Sequence, residues 1–110
     1  MMIEALNAIY DVDRRATGRV HETCEQLSND QWLAPQTAGR GSIRDTLVHQ
    51  VAGMRVSFIA WGGPLPPEEA TRKVVDPQDF PDVAAVRAYF RLMDGAFQAL
   101  ITQLIHHFKP

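Results

Sequence analysis

A histidine one helical turn after an aspartate is the first candidate for chemistry in this sequence. His49 and Asp45 lie in the segment 42–49, and their four-residue spacing places both on one face of a helix. We expect His49 to be at least partly buried, because apolar residues surround it on most of the helix. A buried neutral imidazole needs a carboxylate, a carbonyl, water or a metal ion as partner, and Asp45 could orient it. On these residues alone, a core histidine satisfied by hydrogen bonds is favoured over a metal ligand.

Two adjacent histidines near the end of the chain, His106 and His107, form the second candidate. Neighbours in a helix point about 100° apart, so the pair cannot easily hold one metal ion from a single helix. We expect His107 to point inward and His106 to face water. A favourable interaction with the negative end of the helix dipole is the simpler interpretation of the pair. His21 is interpreted as a surface residue.

The remaining charged pairs offer weaker signals. Arg14 and Arg15 could form a small anion site, although a solvated helix face is the simpler interpretation. The pairs Glu68-Glu69 and Arg72-Lys73 are expected only to solvate a long connection. The sequence contains no glycine-rich phosphate loop, cysteine pair or nucleophile elbow.

Three long helical patterns must position these residues. Apolar side chains recur at three- and four-residue steps from Ile3 to Leu27, from Ile43 to about Trp61, and from Val83 to His107. Residues 62–81 contain five of the seven prolines and are predicted to be a long surface connection. We therefore predict one all-α domain over 1–110, an up-down helix bundle with three long helices.

Composition narrows the partners and the location. A net charge of −2 gives no electrostatic reason to expect nucleic acid. The N-terminus lacks the features of a signal peptide, and no apolar run approaches the roughly 20 residues of a membrane span. Because Cys24 is the only cysteine, no internal disulfide can form. The prediction is a soluble, cytoplasmic protein without nucleic-acid or membrane partners.

The stretch 95–108 contains no aspartate, glutamate, lysine or arginine. A helix on the outside of a small bundle normally has a charged face. We therefore expect a second layer of helices to cover residues 95–108. A homodimer through the 95–108 face would supply that layer and complete the bundle. A loosely held, sticky end is the alternative.

Several segments together resemble the DinB/YfiT-like superfamily. They are Tyr10 with Arg14, residues 27–32, residues 42–49, Trp61-Gly62 and residues 79–81. The resemblance extends from about residue 2 to about residue 105, and 43–49 followed by Trp61 is its most specific part. It implies a four-helix bundle, often homodimeric, and metal-dependent activities that include thiol transfer and maleylpyruvate isomerisation.

The same resemblance implies a metal site with one histidine from the second helix and two from the last. His49 matches the first ligand, whereas the other two have no counterpart because the fourth helix is lacking. We therefore favour a truncated, homodimeric, non-catalytic module with an incomplete metal site. The alternative is a metal-dependent enzyme of thiol-transferase or hydrolase type. Its divalent Ni, Zn or Fe ion would be held by His49 with His106 or His107 across a dimer. The identity of its small-molecule substrate is not indicated by the sequence.

Overall fold

A computed structural model describes residues 2–36 and 41–107 and is all-helical in these ranges. Its long helices are α1 (Met2–Cys24), α3 (Ile43–Ala60) and α4 (Val83–His107), and α2 (Asn29–Leu33) is a short helix after α1. Two 3-10 turns, Pro67–Glu69 and Pro77–Asp79, lie in the connection between α3 and α4. Phe108 and the side chain of Ile3 lie outside the described part. The all-α prediction is confirmed for the residues described.

Capping side chains determine where the helices begin. Ser42 Oγ accepts a hydrogen bond from the Asp45 amide at 3.0 Å, and Asp45 Oδ2 accepts one from the Ser42 amide at 3.3 Å. The same capping box joins Ser28 and Gln31 at the start of α2. At the other end of α3, Gly62 has a φ of 82°, which stops the helix at little steric cost.

Aromatic contacts give the direction of the long helices. Tyr10 packs against Phe97 and His21 against Phe90, both at 5.3 Å between ring centroids, so α1 and α4 are antiparallel. Helices α3 and α4 are parallel, because early α3 residues share a cavity with Phe90 and Trp61 shares one with Ile101. The predicted up-down order therefore applies only to α1 and α3. The long connection brings the chain back along the bundle, so that α4 runs in the same direction as α3.

One corner of the bundle is open. Helix α4 packs against both α1 and α3, which make little direct contact with each other. The Cα radius of gyration is 15.3 Å, whereas a compact chain of this length has about 13 Å. Three helices thus occupy three corners of a square, and the fourth corner, between α1 and α3, is an open groove.

The connection between α3 and α4 contributes to the core. Val75 and Phe80 are buried with the α3 and α4 side chains, and Glu69 is only 2% exposed. The prediction of a purely surface connection is therefore wrong at these positions. A segment that joins two parallel helices must travel back along the bundle, and here it packs across both of them.

Part of the apolar surface of residues 95–108 is covered within the chain. Phe97, Leu100 and Ile101 are buried, because α4 is the central helix and both neighbours pack on it. Large exposed side chains lie mainly on α1 and α3 instead, as with Ile9 and Trp61. Homodimerisation through the 95–108 face stays a prediction, and the α1–α3 corner is a second apolar surface of the chain.

None of the helices in the described ranges combines the length and the apolar character that crossing a membrane requires.

Candidate functional site

The groove between α1 and α3 is a concave surface that combines apolar walls with polar groups. Two adjoining sections have volumes of about 320 and 260 Å³. Their linings come from all three long helices: Leu6, Tyr10, Asp13, Arg14 and Thr17 of α1, Gln50, Val51, Met54, Ser57 and Trp61 of α3 (with its C-cap), and Phe90, Phe97 and Ile101 of α4. Clefts that are mainly apolar with a few convergent polar groups are the usual form of binding sites.

Tyr10 lines both sections of the groove and is hydrogen-bonded to Asp94. The Tyr10 hydroxyl donates to Asp94 Oδ1 at 2.7 Å, and Gln98 Nε2 donates to Asp94 Oδ2 at 2.8 Å. Arg14 Nε lies 3.9 Å from Asp94 Oδ1. Burial and the bond to Asp94 raise the pKa of Tyr10 far above its ordinary value. Tyr10 is therefore protonated at neutral pH and donates to Asp94.

The α1 wall of the groove ends in an exposed apolar rim. Ile9 is one turn from the groove residues Leu6 and Asp13, and it is 66% exposed. Met2 and Val20 are also exposed on this side of α1. The apolar stripe predicted for α1 thus divides between two surfaces, one against α4 and the other at the open corner.

His49 is exposed, contrary to the prediction that it is partly buried. Helix α3 buries Leu47, Val51 and Phe58 against its neighbours, and His49 is on the opposite face. Apolar residues surround most of α3, but only one side of it has a helix to pack against. Asp45 does not contact His49, because its carboxylate caps Ser42 and pairs with Arg44 at 3.4 Å.

His106 and His107 lie in the last turn of α4, and both are exposed. Gln50, next to His49, shares a cavity with Phe90 near the start of the parallel helix α4. At 1.5 Å per residue, the histidine pair is roughly 24 Å further along α4. Among the residues that the structure describes, no three His, Cys, Asp or Glu side chains cluster in a way that could hold a metal ion. The predicted ligands therefore fit a divalent metal only if they come from two chains.

His21 is the histidine that the helices do bury, and the surface interpretation of it is wrong. It is 1% exposed, its ring packs edge-on against Phe90, and neither ring nitrogen has a hydrogen-bond partner within the described residues. Burial lowers its pKa below the ordinary value, and the charges of Arg87 and Arg91 lower it further. His21 directly follows Val20 in the sequence. A small error in the helix phase therefore exchanges which of the two residues is predicted to be buried.

Acidification is expected to destabilise the fold through His21. Its folded pKa lies below the unfolded value of about 6.5, so its contribution is fully present above pH 6.5 and is lost as the pH falls toward the folded pKa. The neighbouring Arg87 and Arg91 stay charged throughout. Urea unfolding measured between pH 7.5 and 5 should show that the free energy of unfolding falls more steeply with decreasing pH in the wild type than in His21→Phe. His49→Gln is the matched control and should keep the wild-type slope; an unchanged slope in His21→Phe would contradict the assignment.

A buried ionic cluster around Glu69 was also missed by the sequence analysis. The Glu69 carboxylate accepts hydrogen bonds from the Tyr89 hydroxyl at 2.6 Å and from Arg72 Nε at 2.9 Å, and Arg55 Nε lies 3.4 Å from it. Arg55 also donates to the Arg72 carbonyl at 2.7 Å. Arg72 lies over the Tyr89 ring, 5.3 Å from its centroid. One signal was available: Arg55 follows Val51 by four residues, at a position where the periodicity calls for an apolar side chain.

The Glu69 cluster has a structural consequence. Its members belong to α3, the connection and α4, so the buried hydrogen bonds tie the connection to both helices. Burial and the bond to Glu69 raise the pKa of Tyr89 well above its ordinary value. Arg55 Nε has no hydrogen-bond partner among the described residues, but the other polar groups of the cluster bond to one another, whereas the α1–α3 groove is open to a partner.

Comparisons of the chain with protein-family models, with curated proteins and with solved structures find no match. A functional assignment therefore depends on the geometry of the groove and the placement of the histidines.

Proposed function

We propose that this chain is a non-catalytic, self-associating helix-bundle module of DinB/YfiT-like type. In this proposal, α1 of a second copy fills the groove between α1 and α3 and completes a four-helix layer. The open fourth corner of the bundle is the observation that carries the proposal. Its lining is mainly apolar and includes Tyr10 and the exposed Trp61, and the exposed Ile9 lies at its rim.

The length of the groove argues for an occupant from another chain. A helix that lies along α3 needs about 18 residues, which is roughly 27 Å. The three long helices already pack together through α4. In this proposal, the covering helix is therefore supplied by another chain.

Helix α1 of a second copy suits the corner because it carries an unpartnered apolar stripe. Ile9 and Val20 are exposed on it, and the helix has 23 residues, enough to extend along the whole groove. Reciprocal insertion would bury the rim of each copy against the groove of the other. Such an isologous interface closes on itself, as in most homodimers.

The placement of the histidines supports a non-catalytic role. His49 lies on the exposed face of α3, far from His106 and His107 in the same chain. Metal-dependent catalysis usually needs about three protein ligands in fixed geometry. In the groove, the Tyr10 hydroxyl is held as a donor by Asp94. The groove thus supports assembly better than it supports a reaction.

A charge at the rim tests where the copies meet. Ile9→Glu is expected to weaken the dimer roughly tenfold or more, since it places an unpaired carboxylate in an apolar interface. The matched control is Val74→Glu in the connection, because Val74 is 69% exposed and Ile9 is 66% exposed. Analytical ultracentrifugation gives the dissociation constants, and circular dichroism confirms the helical content.

Two outcomes would contradict this proposal. Equal dimer affinity in Ile9→Glu and Val74→Glu would place the interface elsewhere. Stoichiometric divalent metal that disappears in His49→Ala would support the metal-dependent alternative instead.

A further inference from the structure

A second cleft lies on the other side of the contact between α1 and α4. Its volume is about 370 Å³, and five of the nine arginines of the chain line it together with His21: Arg14, Arg15, Arg19, Arg87 and Arg91. The carboxylates of Glu22 and Asp94 also lie in the lining. The cleft shares Arg14 and Phe90 with one section of the α1–α3 groove, but Arg19, His21 and Arg91 line the cleft and not the groove. The proposal below therefore does not rest on the proposed function.

Carboxylates already pair with three of these arginines. Arg14 and Arg15 both pair with Asp11, and Arg87 pairs with Glu22 and Glu25. The Asp94 carboxylate is also engaged, by the Tyr10 hydroxyl and Gln98. The acids around the cleft are thus held by groups of the protein.

Arg19 and Arg91 differ from the other three. Neither has an ion pair or hydrogen bond from its guanidinium within the described part of the chain. Arg19 follows Arg15 by four residues, and Arg91 follows Arg87 by four. Like charges at this spacing destabilise a helix, so each pair lowers helix stability unless a counter-charge offsets it. Two guanidinium groups from different helices are therefore available to a bound anion.

The floor of the cleft gives the independent observation. His21 lines the cleft and is 1% exposed, yet neither Nδ1 nor Nε2 has a hydrogen-bond partner among the described residues. Buried polar atoms are almost always hydrogen-bonded, so an unpaired imidazole at the bottom of a cleft indicates a missing partner. An anion oxygen that accepts from the imidazole N–H would satisfy it.

We propose that this cleft binds a phosphate group, with Arg19 and Arg91 as charged donors and the His21 N–H as the donor at the floor. Guanidinium forks match the geometry of phosphate oxygens and form charge-assisted, often bidentate hydrogen bonds. A phosphate has oxygens enough for both forks and the imidazole at once. The group can belong to free phosphate or to a small phosphate monoester, since both present the same oxygens.

Isothermal titration calorimetry of the full chain with inorganic phosphate tests the site. A second titration uses glycerol 2-phosphate, a small phosphate monoester. Arg91→Gln and Arg19→Gln are each expected to weaken binding roughly tenfold or more. Lys73→Gln also removes one positive charge, but outside the cleft, and should leave the affinity unchanged. Tighter binding of the ester would identify a phosphate monoester as the ligand, and equal or weaker binding would identify free phosphate.

Proton NMR of the His21 ring supplies a second readout that does not depend on the arginine variants. Saturating phosphate should shift the His21 signals and leave those of His49 unchanged. Absence of binding by wild-type chain at millimolar phosphate would overturn the proposal. A loss of phosphate affinity in Lys73→Gln equal to that in the Arg19 and Arg91 variants would also overturn it. Phosphate binding that leaves the His21 signals unshifted would do the same.

Discussion

Replacing Glu69 with glutamine is expected to lower the free energy of unfolding by about 3–5 kcal/mol. The carboxylate is 2% exposed and accepts from Tyr89 and Arg72 while lying 3.4 Å from Arg55 Nε. The variant keeps the shape of the side chain but leaves the buried Arg55 guanidinium without its counter-charge. Urea denaturation at neutral pH, followed by circular dichroism, measures the change.

Glu68→Gln is the matched control for this prediction. Glu68 precedes Glu69 in the same 3-10 turn but is exposed, and surface ion pairs contribute little. We expect its effect to stay within about 0.5 kcal/mol. Equal stabilities of the two variants would show that the buried cluster does not hold the connection against α3 and α4.

Replacing Trp32 with alanine is the second substitution with a large expected effect. It should lower the free energy of unfolding by about 3–5 kcal/mol. Trp32 is almost completely buried although α2 has only five residues. Its Nε1 donates to the Phe80 carbonyl at 3.1 Å, so the truncation leaves both a cavity and an unpaired buried carbonyl. Thermal and urea unfolding should agree on the loss.

Leu33→Ala provides the comparison within the same helix. Leu33 is the next residue, and about half of its surface is exposed. Its truncation is expected to cost about 1 kcal/mol or less. A similar loss in both variants would mean that α2 is not anchored through Trp32.

The helices could be predicted from the sequence because their signals are local. The capping boxes at Ser28 and Ser42 and the glycine pair after Trp61 are each contained in a few residues. Hydrogen bonds from these side chains satisfy the free amides of the first helical turn in any tertiary setting. This local chemistry determines where α2 and α3 begin, whichever neighbours they pack against.

The faces of the helices could not be predicted in the same way. Helix α3 is apolar on most of its circumference, so the pattern alone did not show that His49 is exposed. On α1, a phase difference of one residue decides whether Val20 or His21 is buried. Only the position of α4 between the other two helices resolves both cases, and that position is set by long-range packing.

The chemistry of the connection was equally hidden. Glu69 is separated from Arg55 by 14 residues and from Tyr89 by 20, and no local rule joins them. A charged residue in a proline-rich segment is usually solvated, which is why the sequence predicted a surface role. Parallel helices require a long return path, and this path brought Glu69 into the interior.

The solution mass of the unaltered chain tests the central claim, that a second copy fills the corner between α1 and α3. Sedimentation equilibrium at roughly micromolar concentration should give twice the 12.3 kDa mass of one chain, with reversible dissociation on dilution. A folded species of 12.3 kDa that shows no association at any concentration would contradict the account.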